Sequence, residues 1–225
     1  MSVPLPRLAA AAAALVASLA LAAPGPPALA AVPAIPTRAA ATAPGAAASV
    51  MLQSVAAVSK SDAWAVGYCG TLRSHRPVIE RWNGHRWRVQ PSPRTAASAL
   101  SQLNSVTATS RSSAWAVGEY TSRQEPATPG PGLHVALLGI AAHSASDVWA
   151  VGLRASLPNP RTLVQHWNGT TWSVVPSPSP SPHPDALEGV AVLSRAYAWA
   201  VGYRGNKTLI ERWNGKAWAV QPSPN

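Results

Sequence analysis

Residues 52–93 read LQSVAAVSKSDAWAVGYCGTLRSHRPVIERWNGHRWRVQPSP, and much of this pattern recurs further along the chain. The tetrapeptide Trp-Ala-Val-Gly occurs four times, at 64–67, 115–118, 149–152 and 199–202. Trp-Asn-Gly occurs three times, at 82–84, 167–169 and 213–215, each time with a second tryptophan five residues after the first. Repetition at this period indicates an array of similar units that bury their apolar faces against one another.

Each full unit reads as four β-strands followed by Pro-Ser-Pro, which ends a sheet because proline cannot donate to a β-ladder. In the first unit the predicted strands span 52–58, 63–68, 77–82 and 85–90. The second strand alternates large side chains with Ala, Ala and Gly, so we expect one bulky and one small sheet face. Such a strand suits an inner position, where neighbouring sheets crowd together.

The third and fourth strands are predicted to form a hairpin, because Asn-Gly at 83–84 favours a two-residue type I′ turn. This register would place Trp82 opposite His85 and Trp87 opposite Glu80, with both tryptophans on one face. The position opposite the second tryptophan is filled in the three units by Glu80, Gln165 and Glu211. We expect each of these side chains to accept a hydrogen bond from the indole N–H.

The repeat resembles Kelch-type β-propeller blades, with a glycine closing strand two and paired tryptophans in strands three and four. Written as LxxVAAxSxxDxWAVG…LIExWNGxxWxVxPSP, it is more similar still to an uncharacterised WAVG/WNG-repeat family of exported bacterial proteins. The resemblance covers residues 52–225 and implies an all-β fold of β-propeller-type four-stranded blades. A fold of this kind implies no particular function.

One unit of the array is incomplete. Successive Trp-Ala-Val-Gly motifs are 51, 34 and 50 residues apart, and no Trp-Asn-Gly or Pro-Ser-Pro follows the second motif. We therefore predict three full blades and one half-blade, whereas closed propellers typically have about four to eight blades. The expected domain is an open or incomplete ring, a segment of a homo-oligomer, or a fragment of a longer ancestor.

The recurring tryptophans and glycines are expected to pack the blades together. One structural role at each repeat position explains all ten tryptophans, whereas ligand binding would require several equivalent sites. Trp115 stands apart, because the blade expected to cover it lacks two strands. The structural positions are Trp64, Trp82, Trp87, Trp115, Trp149, Trp167, Trp172, Trp199, Trp213, Trp218, Gly67, Gly118, Gly152 and Gly202.

The residues that precede the repeats read as an export signal and a linker. Residues 1–30 are a predicted signal peptide, with one arginine, an apolar run from Leu8 to Ala23 and small residues before a cleavage site. Residues 31–49 are a predicted disordered Ala/Pro-rich tether. The repeat domain spans 50–225, with blades at 50–93, 100–119 (partial), 136–178 and 187–225. This organisation predicts a secreted, extracellular protein with no stable membrane span after signal cleavage.

Motifs that carry chemistry are missing from the sequence. The six histidines show no HxH, HExxH or HxxxH spacing, and Cys69 is the only cysteine. Gly-rich phosphate loops and a Gly-x-Ser-x-Gly elbow are also absent. We therefore predict no catalytic residues, no metal site and no cofactor.

The chain is basic, with 18 Lys and Arg against 8 Asp and Glu and a formal net charge of +10. Such a charge attracts anionic polymers at low salt. No nucleic-acid recognition motif accompanies it, so a polyanion or glycan of the cell wall or exterior fits an exported chain better. The alternative is a solvated face of a chain with biased composition. The candidate basic rim comprises Arg81, Arg86, Arg88, Arg94, Arg212 and Lys216.

Three functions stay open at this point. We favour a secreted, non-catalytic β-propeller that acts as a binding or scaffolding surface at the cell exterior. A polysaccharide-directed lectin or hydrolase is the alternative, although the variable loops offer only Tyr120 for stacking against a sugar. The third is a fragmentary paralogue without selected activity.

Overall fold

The computed structural model describes residues 16–20, 49–71, 74–92, 100–121, 135–154, 159–180 and 182–224, and all regular elements within them are β-strands. The strands are β1 (Val16–Ala20), β2 (Ser49–Ser59), β3 (Asp62–Thr71), β4 (Ser74–Trp82), β5 (Trp87–Gln90), β6 (Leu100–Ser110), β7 (Ser113–Thr121), β8 (Val135–Ser144), β9 (Asp147–Arg154), β10 (Arg161–Trp167), β11 (Trp172–Val175), β12 (Asp185–Ser194), β13 (Tyr197–Arg204), β14 (Lys207–Trp213) and β15 (Trp218–Val220).

The strands form four antiparallel blades in chain order. Blade 1 is β2–β5, blade 3 is β8–β11 and blade 4 is β12–β15, each with consecutive strands paired. Blade 2 has only β6 and β7 from the repeat region. One-residue bridges join blade 1 to blade 2 at His75–Leu100 and blade 2 to blade 3 at Glu119–Ala136. The prediction of an all-β fold with three full blades and one half-blade is confirmed.

The first two strands of every blade share one register and one irregularity. The leucine of strand one pairs with the glycine of Trp-Ala-Val-Gly, and a β-bulge follows immediately in all four blades. At Gly152, a Cβ atom would lie 2.0 Å from the carbonyl oxygen of Ala136 and 2.8 Å from the Cα of Leu137. The other three motif glycines lie equally close to their own first strand. Glycine is needed at this position because two backbones approach too closely for any side chain.

Neighbouring blades stack through two different faces. The Trp face carries the tryptophan and valine of Trp-Ala-Val-Gly. The Leu face carries the leucine of strand one, the alanine of Trp-Ala-Val-Gly and the residue before the tryptophan, which is alanine in blades 1, 2 and 4 and Val148 in blade 3. The Trp face of each blade packs on the Leu face of the next, which confirms the bulky-and-small alternation predicted for strand two. The three contacts pair Trp64 and Val66 with Leu103, Trp115 and Val117 with Leu137, and Trp149 and Val151 with Leu187.

The predicted register of the hairpin was wrong. Trp82 pairs directly with Trp87, and four residues rather than two connect the strands. The reason is the side chain of Asn83, whose Oδ1 accepts hydrogen bonds from the backbone N–H groups of His85 and Arg86, both at 3.0 Å. These bonds close a local turn and withdraw both residues from the ladder. Both tryptophans still lie on one face, with ring centroids 5.8 Å apart.

The indole N–H groups of the hairpin tryptophans do not follow the predicted pattern of hydrogen bonds. The first tryptophan of each hairpin donates to a carbonyl in the turn between strands one and two, which ties the third strand to that turn. These bonds run from Trp82 to Lys60 (3.1 Å), from Trp167 to Ala145 (3.1 Å) and from Trp213 to Arg195 (3.0 Å). Among the described residues, the buried Nε1 atoms of Trp172 and Trp218 have no acceptor, so the predicted bonds to Gln165 and Glu211 are not formed.

The strand β1 adds a third strand to blade 2. β1 pairs antiparallel with β7, with Val16 opposite Val117 and Ala20 opposite Ser113. Since β4 pairs with β3 along the corresponding residues of blade 1, β1 takes the position of a third strand. β1 lies within the predicted signal peptide, and its pairing belongs to the uncleaved chain. No helix in the described part of the chain is long and apolar enough to cross a membrane.

Candidate interaction surface

The repeated tryptophans differ in how fully the blades cover them. Trp149, Trp218, Trp64 and Trp115 are buried, whereas Trp87 is 43% exposed. Trp115, which the sequence set apart because of the partial blade, is covered by the Leu face of blade 3. The remaining tryptophans are half-buried: Trp82, Trp167, Trp172, Trp199 and Trp213.

The Leu face of blade 1 is open to solvent along β2, whereas its residues Ala63, Ala65 and Val78 are buried. Leu52 is 48% exposed and Val55 is 65% exposed, whereas the leucines at the same position in blades 2, 3 and 4 are fully buried. Trp87 and Val89 on β5 extend the exposed apolar area toward the outer edge of the blade. Large contiguous apolar surface on a soluble protein marks an interaction site.

The Trp face of blade 4 is open in the same way. Val201 is 48% exposed, although the equivalent valines of the other blades, Val66, Val117 and Val151, are at most 1% exposed. Trp199 is half-buried on the same face. The array therefore ends in two different uncovered faces, one at each end.

Some cations of the predicted basic rim are exposed on blade 1, and Arg88 pairs with Arg81 on the sheet face opposite Trp87. Arg86 in the hairpin and Arg88 on β5 are exposed on either side of Trp87. Lys216 is exposed in the corresponding hairpin of blade 4, and Arg212 is half-buried with its guanidinium 5.9 Å from the centre of the Tyr197 ring. Arg94 lies outside the described residues.

Arg81 is held inside blade 1 rather than displayed. Its Nε atom lies 2.8 Å from the buried Oδ1 of Asp62, and its guanidinium lies 4.7 Å from the Trp64 ring centre. In blade 3 the same two positions hold Asp147 and His166, joined by a 2.7 Å contact. Each pair engages one oxygen of a buried carboxylate and positions strand three on strand two, which is a structural use of charge.

The carboxyl of Glu211 on β14 is buried between blades 3 and 4. Its pKa is raised from 4.5 to about 7, chiefly by burial, with the nearby carboxyl of Asp185 adding to the rise and the polar side chain of Ser177 opposing it. Because Glu211 is fully buried, it has no direct access to a dissolved substrate. Its chemistry is that of a proton-binding group within the packing between two blades.

The described residues contain no group of three His, Cys, Asp or Glu side chains arranged to hold a metal ion. Cys69 is half-buried at the end of blade 1, where its Sγ lies 3.2 Å from Nε of Arg76. The structure thus brings together apolar and cationic side chains at the ends of the array, and uses the polar groups of the repeat within the blades.

No family model matches this chain, and no curated protein matches it. Among solved structures, the chain is similar to one described as "YCF48 bound to D1 peptide", with 14% sequence identity and a TM-score of 0.33. The similarity covers 75% of this chain and 40% of that chain, so this chain spans less than half of the length it is compared with. A likeness at this level assigns no function.

Proposed function

We propose that this chain is an exported, non-catalytic β-propeller-like repeat protein that acts as a binding or scaffolding surface at the cell exterior. The observation that carries the proposal is the group of exposed side chains of blade 1, in which the apolar Leu52, Val55 and Trp87 and the cations Arg86 and Arg88 all remain in solvent. A blade that exposes both apolar and cationic side chains suits a partner that combines hydrophobic contact with negative charge. The export signal read from residues 1–30 supports an extracellular place of action.

The use of the repeat's polar residues supports the same proposal. Asp62 and Asp147 bind side chains on the neighbouring strand, and the hairpin indoles bind turn carbonyls. Groups that could perform chemistry are thereby engaged in holding the blades. We also propose that the chain belongs with the exported bacterial WAVG/WNG-repeat proteins that its sequence resembles.

Binding to an anionic wall polymer tests the proposed surface. We expect the purified chain to be retained on immobilised teichoic acid at low salt and released as salt rises, because exposed charge pairs are screened beyond a Debye length of about 8 Å at physiological salt. The double variant Arg86→Ala/Arg88→Ala should bind several-fold more weakly at low salt. Retention can be measured by titrating salt against bound fraction.

Lys207→Ala is the matched control, because Lys207 is an exposed cation away from blade 1. Equal loss of binding in both variants, or retention that salt does not change, would contradict the proposal that this surface binds the polymer. Turnover of a glycan, ester or peptide by the purified protein would contradict a non-catalytic role. Export is tested separately. When a bacterial host expresses the chain, the protein recovered from the medium should have Ala31 as its first residue.

A further inference from the structure

The turns between the first and second strands of all four blades lie at the same end of the strands. β6 of blade 2 runs parallel to β4 of blade 1, and β8 of blade 3 runs antiparallel to β7 of blade 2, so the first three blades have the same orientation. Arg195 in the turn of blade 4 donates from Nη2 to Oγ of Ser146 in the turn of blade 3, at 3.0 Å, which places the fourth turn beside the third. The four turns together form one end of the sheets, the turn end.

The four turns are built alike. In each turn, the serine that ends strand one accepts a hydrogen bond from the backbone N–H two residues later, at 3.3 Å. The residue between these two is the tip of the turn, and its carbonyl oxygen is bound in every blade. The donor is the first hairpin tryptophan in blades 1, 3 and 4, and Nη2 of Arg81 in blade 2. The backbone of each tip is therefore held in place, and the tip side chain is presented at a repeated position.

Three of the four tips are cations. Lys60, Arg111 and Arg195 occupy the tip in blades 1, 2 and 4, and their side chains are exposed. Blade 3 has Ala145 at this position. The basic rim expected from the sequence includes none of the three tip cations, although a basic residue after the serine of the turn recurs as regularly as other features of the repeat.

The hairpins between strands three and four add cations at the same end. A Cβ atom on Gly84 would lie 3.0 Å from Cβ of Ser61, so the hairpin of blade 1 packs against the turn of its own blade, and the hairpin of blade 4 does the same. Arg86 and Lys216 are exposed in these two hairpins. The turn end therefore displays five permanent cations: Lys60, Arg86, Arg111, Arg195 and Lys216.

The carboxylates of the turn end are withdrawn from solvent. Asp62 and Asp147 begin β3 and β9 at this end, and each is only 1% exposed. Their Oδ1 atoms bind Arg81 and His166. Within the part of the chain that the structure describes, no ion pair joins a carboxylate to any of the five exposed cations. The turn end therefore presents positive charge that the chain does not itself neutralise, which attracts an anionic partner.

We propose that the turn end binds a linear anionic polymer that runs across the blades and contacts the tip cations of several blades at once. The inference rests on the proposed function, because it names the residues and the mode of binding for the polymer considered there. The tips are fixed before the polymer arrives, which lowers the cost of ordering them on binding.

The distance between blades favours a polymer over a small anion. Packed sheets lie about 10 Å apart, and exposed charges are screened beyond about 8 Å at physiological salt. A small anion therefore interacts with the cations of one blade, whereas a polymer reaches the cations of successive blades. Each further contact is intramolecular once the first has formed, so the contacts reinforce one another.

Replacing the tip cations in the full chain tests the proposal, with immobilised teichoic acid as the probe. Lys60→Ala/Arg111→Ala/Arg195→Ala should bind about tenfold more weakly at low salt, because three exposed ion pairs of modest strength are lost together. The matched control removes three exposed cations from the opposite end of the strands and has the same net charge: Arg76→Ala/Arg154→Ala/Lys207→Ala. The control should bind nearly as tightly as the unaltered chain, and melting temperatures should show that both variants remain folded.

Blade 3 allows the opposite change. Ala145 is exposed, and its carbonyl oxygen is already bound by Trp167, so Ala145→Arg supplies the cation that the other three tips have. This variant should bind teichoic acid several-fold more tightly than the unaltered chain and depend more steeply on salt. Inorganic phosphate at the same total phosphate concentration should displace the chain much less effectively than soluble teichoic acid does.

The possible failures are distinguishable. Equal loss of binding in the two triple variants, or an Ala145→Arg variant that binds no more tightly than the unaltered chain, would contradict the turn-end site and leave the proposed function standing. Displacement by inorganic phosphate as effective as that by soluble teichoic acid would contradict binding across several blades. An unaltered chain that does not bind teichoic acid at all would contradict the polymer-binding function itself.

Discussion

The absence of a Cβ atom at one repeat position allows the first two strands of each blade to approach closely. At the scale of single residues, the glycine of Trp-Ala-Val-Gly lets strand two approach the bulge of strand one, where the backbone of Ala136 or its equivalents occupies the space of a Cβ. Sequence reasoning found this glycine as a repeat position but not its cause, because the close approach exists only once the bulge has formed. The valine beside this glycine also recurs in the sequence, but its burial depends on whether another blade packs against it.

Replacing Gly152 by alanine should destabilise the domain by roughly 1–3 kcal/mol, the range for extra atoms that force backbone shifts in a packed interior. The added Cβ would lie 2.0 Å from the Ala136 carbonyl oxygen, and backbone has to move to admit it. Chemical unfolding followed by tryptophan fluorescence measures the loss. Gly189→Ala is the control, since its Cβ would meet its nearest atom, Cγ2 of Val201, at 3.4 Å. Equal losses in the two variants would contradict the close-approach explanation.

Glu211 should make stability depend on pH. Its folded-state pKa of about 7 exceeds the ordinary 4.5, so between these values the folded chain binds a proton that the unfolded chain releases. Stability is therefore greatest below pH 4.5 for this group and falls as pH rises toward 7, by up to about 1.4 kcal/mol per pH unit. Glu211→Gln should remove this decline.

The measurement compares melting temperatures at pH 5 and pH 8 for the unaltered chain and Glu211→Gln, because the difference cancels the other titrating groups. Glu188→Gln supplies the reference for an exposed carboxyl. Parallel pH profiles for the unaltered chain and Glu211→Gln would show that burial of Glu211 does not govern the dependence.

At the scale of elements, the repeated sequence motifs predicted the number and order of the strands correctly, but they did not predict the hairpin register. The second strand was predicted at 63–68 and spans Asp62–Thr71, and the third was predicted at 77–82 and spans Ser74–Trp82. The fourth begins at Trp87 rather than His85, because the side chain of Asn83 competes with the ladder for two backbone N–H groups. Backbone propensity alone, on which the type I′ expectation rested, does not include that competition.

The cross-strand tryptophan pairs should stabilise the blades unequally. Trp213→Ala should cost roughly 3–5 kcal/mol, because its ring packs 5.0 Å from Trp149 and its indole binds the Arg195 carbonyl. Trp87→Ala should cost much less, since Trp87 is 43% exposed. Thermal unfolding of both variants gives the comparison. A larger loss for Trp87→Ala would mean that the exposed Leu face of blade 1 is covered in solution by contacts within one copy.

At the scale of the whole molecule, repetition predicts a stack of blades and leaves its ends undetermined. Leu52 and Leu187 have the same place in the repeat, yet one is half exposed and the other fully buried, because only position in the array decides what lies against them. The basic rim likewise shows that the sequence alone does not determine which side chains are exposed. Arg81 and Arg86 read alike in the sequence, but a buried Asp62 binds the first, and the second stays in solvent.

The place of β1 beside β7 couples the timing of folding to that of translocation. On the proposed export route the chain passes the membrane unfolded, with its signal accessible to the targeting machinery. A precursor that folds first would hold Val16–Ala20 in a backbone ladder with Ser113–Val117 and withdraw part of that signal. The β1–β7 pair joins residues 16–20 to residues 113–117, and contacts between residues so far apart in sequence form slowly, which gives export time to act first. On that route, removal of residues 1–30 would leave β7 without the strand that β1 supplies in the uncleaved chain.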